Sequence, residues 1–274
     1  MIYDPRGCID YDETGNGPTI VFVPGSCSTG AAWRPLIAAL GGRFRCVTTS
    51  LLGYGGTDER RTAADPTIVH ECEMLEAVVR RAGGPRKERV HLVGHSFGGL
   101  VALAVAMRGY VKLASLTIAE APALDVLRAC KEPQLYRAFR DMTGCYFARH
   151  DRCEAEAIAS MVDFYGGAGT FASWPPRVRA YAVETTSVNI LDWASAYGLV
   201  LTPSTLAAVT APTLVLWGEH SHPAAQRANE LLATHIPDAV LTTVKGAAHF
   251  MIATHPAEVA SFMTLHVADQ MVDA

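Results

Sequence analysis

The sequence predicts an α/β fold, a mostly parallel sheet with helices on both faces plus an inserted helical cap, and three observations carry that expectation. Residues 19–23, 89–93, 113–119 and 212–219 are short runs rich in valine, leucine and isoleucine, continuous where a half-exposed strand would alternate. Strands covered on both faces read this way. Helix-like stretches separate the runs and no internal repeat is present, which favours parallel strands joined by crossovers. The third observation is Gly94-His95-Ser96-Phe97-Gly98, set between the run 89–93 and an alanine-rich run to residue 106. Gly-x-Ser-x-Gly at such a junction is a sharp turn that lifts a serine hydroxyl above the sheet edge. A Cβ at either flanking glycine would collide with the neighbouring strand or helix. The helix that follows aims its free N–H groups at the place where negative charge develops in acyl transfer.

Taken in order, residues 8–11 alternate and suggest an early strand, with a turn through Gly15-Asn16-Gly17. The strand 19–23 leads into Pro24-Gly25-Ser26-Cys27. Residues 33–40 read as helix, 45–49 as strand, and 52–58 as a glycine-rich loop. Residues 65–82 form an amphipathic helical pattern, with Asp65 as N-cap, Pro66 at the first position and Gly83-Gly84-Pro85 as the stop. The strand 113–119 ends on Glu120-Ala121-Pro122. Beyond it the character changes to charged, helical stretches at 124–147, 152–165 and 176–195, broken by Gly166-Gly167-Ala168-Gly169. The division expected is a core of residues 1–121 and 202–274 around a cap of 122–201. The cap's aromatic residues (Tyr136, Phe139, Tyr146, Phe147, Phe164, Tyr165, Phe171 and Trp174) should mostly pack its own interior, with a minority lining an apolar pocket. The core resumes at 212–219, followed by a helix at 223–235, a strand at 240–244, a loop carrying His249, and a closing helix from Pro256 to about 267.

Composition narrows the function. Half of the 274 residues are hydrophobic and 18% are charged, as in a globular protein with a sizeable core. A net charge of −4 with no basic stripe argues against a nucleic-acid partner. No apolar run approaches a membrane span, and Met1-Ile2-Tyr3-Asp4-Pro5 lacks the features of a secretory signal. Seven scattered cysteines suggest free thiols in a reducing compartment, so a cytoplasmic location is expected. His220-x-His222 and the set Cys145, His150 and Cys153 lack complete zinc-ligand spacing, and the glycines at 166–169 lack the lysine of a phosphate loop. No metal or cofactor is therefore expected, and the partner is a small-molecule substrate. Cys27 reads as a packing cysteine, since no base accompanies it. His95 reads as a packing residue of the turn.

On these motifs the chain resembles the α/β-hydrolase family over nearly its whole length. The resemblance implies that Ser96 is the nucleophile and His249, in the late loop, its base. It also implies that the N–H groups of Ser26 and Phe97 form the oxyanion hole, although Pro24 stands where the family usually has histidine. The acid departs from the pattern. The usual aspartate position holds Ser221, within Gly218-Glu219-His220-Ser221, and serine cannot stabilise an imidazolium by charge. Glu120 stands at the carboxyl end of the strand after the elbow helix, where open parallel sheets place functional groups. It is the acid expected, with Glu219 or a dyad lacking an acid as the alternatives. The implied function is a serine hydrolase that cleaves an ester, lactone or related acyl bond of a small apolar substrate through an acyl-enzyme. The alternatives are a carbon–carbon bond hydrolase with the same residues, or a slow ligand-binding receptor of the same fold.

Overall fold

The computed structural model describes residues 1–85 and 87–272. The chain opens with a small antiparallel hairpin, β1 (Ile2–Asp4) and β2 (Gly7–Ile9), in place of one early strand. Next come β3 (Asp12–Thr14), β4 (Thr19–Val23), a 3₁₀ turn (Gly30–Trp33), α1 (Arg34–Ala39), β5 (Arg45–Thr48) and α2 (Val69–Gly83). The turn proper follows, with β6 (Val90–His95), α3 (Phe97–Arg108) and β7 (Leu113–Ala119).

The insert holds α4 (Leu124–Ala129), α5 (Pro133–Asp151), α6 (Ala159–Gly166), α7 (Thr170–Ser173), α8 (Pro176–Glu184) and α9 (Thr186–Gly198). The chain closes through α10 (Pro203–Leu206), β8 (Thr213–Gly218), α11 (Pro223–His235), β9 (Ala239–Val244), α12 (Met251–Thr254) and α13 (Pro256–Val272).

The sheet runs β3-β5-β4-β6-β7-β8-β9, and every pairing is parallel except that of β3 with β5. β4 shows why its sequence is apolar throughout. Ile20 and Phe22 face one core with Trp33, Leu36 and Met263, while Val21 and Val23 face the other with Leu75 and Leu100. Burial on both faces leaves no place for an alternating polar residue. All seven cysteines are unpaired thiols. Among the described residues no helix is long and apolar enough to cross a membrane.

Several expected boundaries move. The helix at 65–82 starts only at Val69, and Asp65 does not cap it. Asp65 instead closes a turn with Thr62 and places its carboxylate 2.9 Å from His70 Nε2, while the Pro66 carbonyl accepts from Ser195 Oγ in α9. These local contacts and the tertiary Ser195–Pro66 bond hold the segment outside the helix. The stretch 124–147 breaks at Lys131, in the left-handed region at φ 63°, before α5 starts on Pro133. The stretch 152–165 becomes helical only at Ala159, and 176–195 divides at Thr185. The closing helix is longer than expected, reaching Val272.

Candidate active site

Ser96 sits at the tip of the β6–α3 turn with φ 55°, a strained conformation for a residue with a Cβ. The turn closes because its glycines bring no side chain. A Cβ on Gly94 would overlap the Gly98 carbonyl, and one on Gly98 would overlap the carbonyls of Val23 and Pro24. The Ser96 amide donates to the Ala119 carbonyl at 2.9 Å, tying the turn to the end of β7.

Glu120 follows that same β7 end and is also left-handed, at φ 50°. Its segment is clamped, since Asn229 in α11 accepts from the Ala121 N–H and donates to the Ala121 carbonyl, both at 3.0 Å. Fully buried, the carboxylate points at His249, with Oε1 2.8 Å from Nδ1. Its other oxygen accepts from the Gly218 N–H at 3.0 Å and from Ser221 Oγ at 2.5 Å. Burial pushes the Glu120 carboxyl up, but the facing His249 and these donors outweigh it and hold the group below its ordinary value. An ionised Glu120 only accepts hydrogen bonds, so Nδ1 of His249 carries the proton. Its Nε2 is then free to accept from Ser96 Oγ, 3.0 Å away. The three residues proposed from sequence therefore meet in one hydrogen-bonded chain. Glu219 lies elsewhere, and its carboxylate takes the Gly246 N–H at 2.9 Å.

Two further contacts hold His249 in place. Tyr165 of α6 stacks on it with centroids 4.1 Å apart. His95 Nε2 lies 2.9 Å from the His249 carbonyl, so His95 does more than pack. Burial and the nearby His249 depress His95 to about 3, which keeps it neutral with an N–H to donate. His222, one of the metal-type histidines, is engaged as well. Its Nδ1 accepts from the Ala224 N–H at the start of α11 and its ring stacks on Phe164 at 4.1 Å. His150 lies 3.3 Å from Ser187 Oγ, and Cys145 and Cys153 are exposed.

Ser96 opens into a cavity of about 860 Å³ lined by Ser26, Phe97 and His249 from the core and by Tyr165, Trp174 and Trp193 from the insert. Phe139, Tyr146 and Phe171 are instead buried in the insert's interior. Ser26 and Phe97 thus both flank the nucleophile. Cys27 beside them is packed, with its thiol pushed up to about 12 by burial.

One cluster at the cavity was not foreseen. Asp192 of α9, 1% exposed, accepts from Ser26 Oγ at 2.5 Å, Tyr54 OH at 2.7 Å and Arg61 Nη1 at 2.8 Å. Arg61 also pairs with Glu59 at 2.8 Å and Glu71 at 3.3 Å. No local pattern marks Asp192, whose partners lie 131 residues or more away. The only signal available was an aspartate inside an otherwise apolar helical stretch, Ile190-Leu191-Asp192-Trp193-Ala194.

A family model described as the alpha/beta hydrolase family matches residues 20–262. The chain belongs to this family. This alpha/beta hydrolase is 24% identical over 278 residues to a 2-(acetamidomethylene)succinate hydrolase of Mesorhizobium japonicum, covering 98% of this chain and 93% of that protein. It is 26% identical over 261 residues to a putative carbamate hydrolase, RutD, of Azorhizobium caulinodans, covering 90% and 89%. Among solved structures it resembles the enol-lactonase of Burkholderia xenovorans, with a TM-score of 0.70, 19% identity and coverage of 95% and 96%. At that identity the likeness establishes the fold. The relatives support a general hydrolase activity for this chain.

Proposed function

We propose that this hydrolase uses Ser96 as the nucleophile of acyl transfer, cleaving an ester, lactone or related acyl bond of a small, largely apolar substrate. The observation that carries the reading is the Ser96–His249–Glu120 chain, with links of 3.0 and 2.8 Å, opening into a cavity walled by aromatic residues. His249 Nε2 takes the Ser96 proton as Oγ bonds to the carbonyl carbon. The carbonyl oxygen becomes an oxyanion held by the N–H groups of Ser26 and Phe97. As the tetrahedral carbon collapses, its bond to the leaving group breaks and His249 returns the proton to that group. Water repeats the sequence on the acyl-enzyme, releasing the acid and restoring Ser96. Glu120 holds the tautomer and stabilises the imidazolium. Residues 122–201 act as the cap that shapes the cavity, and the setting is cytoplasmic.

The test is labelling with a fluorophosphonate, mapped by mass spectrometry, followed by a panel of esters and lactones. Ser96 should carry the label, and Ser96→Ala should lose both label and turnover while melting like the wild type. Full labelling of another serine would overturn the assignment. A product burst without further turnover would point to a ligand receptor. Because one methylene contributes about 0.8 kcal/mol, rates should grade about fourfold per carbon among homologous acyl chains.

A further inference from the structure

The side of the cavity formed by α9 has a helical face, with Asn189, Asp192, Trp193 and Ala196 all reaching the lining. Spacings of three, four and seven residues place them on one stripe. Asp192 on that stripe is committed to Ser26, Tyr54 and Arg61. Asn189 is not. Its backbone N–H bonds the Thr185 carbonyl at 3.0 Å, but the residue is 1% exposed and its Oδ1 has no hydrogen-bond partner among the described residues. Leaving such an atom unpaired is unfavourable, and because Asn189 lines the cavity, turning its carboxamide about the last torsion presents that oxygen to a ligand.

We infer that Asn189 is a recognition residue for a neutral amide-type group on the substrate: a secondary amide, carbamate or ureide placed beside the oxyanion side of the site. Position follows from the helix. Asn189 lies just under one turn, a rise of about 4.5 Å, from Asp192, and Asp192 touches Ser26, the loop residue next to the nucleophile. Chemistry follows from the partners. A carboxamide offers an acceptor and donors, and turning its last torsion exchanges them, so its complement is a group that also has both. Charge follows from the surroundings. The Asp192 carboxylate is paired with Arg61, while Arg34, Arg177 and Glu184, which also line the cavity, are exposed at its rim. The buried part of the ligand is therefore neutral.

This inference rests on the serine-hydrolase reading only for the direction from which substrate approaches, and its test separates the two. Two matched pairs of p-nitrophenyl-type esters are used, one with an amide in the acyl half and one with an amide in the alcohol half. Each is set against an all-carbon analogue of equal length. The wild type should prefer the amide member of at least one pair by about tenfold to a hundredfold in kcat/KM, the size of one buried hydrogen bond. In Asn189→Leu, shown folded by circular dichroism and melting, that ratio should fall to near one. Asn189→Ala serves the same purpose if the leucine does not fit. Calorimetric binding of the same pairs to Ser96→Ala should give the same ratio without any chemistry, so a failure of Ser96 as nucleophile leaves this measurement intact. The inference is overturned if neither pair shows a preference, or if the preference survives in both Asn189 variants.

Discussion

Two buried carboxylates support the site, Glu120 through His249 and Asp192 through Ser26, one from each region of the molecule, and they are set up in opposite ways. Glu120 comes from the sheet, 0% exposed, at a strained turn clamped by Asn229. It faces a group able to become charged, His249, and neutral donors fill its other oxygen. Asp192 comes from α9 of the insert, 1% exposed, and faces a permanent cation, Arg61. Burial nevertheless leaves Asp192 above its ordinary value despite Arg61, whereas Glu120 is held below its own. Asp192 shares its cation with Glu59 and Glu71, while among the described residues Glu120 shares its partners with no other carboxylate. The first arrangement suits a charge that must be ready when an imidazolium forms. The second suits a tether, joining the insert to the loop that carries Ser26.

The largest expected effect breaks the Glu120 side. Glu120→Gln keeps the shape but admits the wrong His249 tautomer, and kcat should fall by up to about ten-thousandfold, as in serine-protease triads. Adding Ser221→Asp to that variant should recover part of the loss by returning a carboxylate to the neighbouring position. Turnover close to wild type in Glu120→Gln would remove Glu120 from the mechanism.

The next effect is on stability. Arg61→Leu leaves Asp192 and Glu59 without their cation and should lower unfolding free energy by about 3–5 kcal/mol in urea denaturation. A loss under 1 kcal/mol would show that the cluster rearranges or protonates freely.

Ser221→Ala sharpens the contrast. It removes one charge-assisted hydrogen bond from Glu120, worth about 1.5–3 kcal/mol, so kcat should drop about ten- to a hundredfold with KM little changed. Asp192→Asn, by contrast, should lower kcat by less than about tenfold, since Ser26 keeps a neutral acceptor. If the two losses are equal, the distinction between charge and tether fails.

The last effect is on pH dependence. Glu71 is raised to about 8 by burial, against an ordinary value of 4.5, with Arg61 opposing the shift. A carboxyl raised in the folded state contributes stability that is complete below pH 4.5 and lost as pH climbs through about 8. Melting temperature should therefore decline between those values, and Glu71→Gln, which keeps an acceptor for the Leu52 N–H, should flatten the decline. An unchanged slope would assign the titration to another group.

What the sequence by itself determined was whatever nearest neighbours encode. The continuous apolar runs defined the strands, because burial on both faces leaves no room for alternation. Gly94 and Gly98 defined the turn at Ser96, because only glycine fits against Pro24 and α3. The serine at position 221 pointed to Glu120, because a buried imidazolium needs a charge from somewhere. The tertiary structure decided what depends on distant partners. Asp65 lost its capping place to a turn and to the Ser195–Pro66 bond, and the long cap stretches broke at Lys131 and Thr185. His95 acquired the His249 carbonyl across 154 residues. Asp192 found Arg61, and the Asn189 Oδ1 was left without a hydrogen-bond partner among the described residues. Pairings of this kind are fixed by which groups folding brings together out of water, and burial of a polar atom has no signature until the atoms around it are in place.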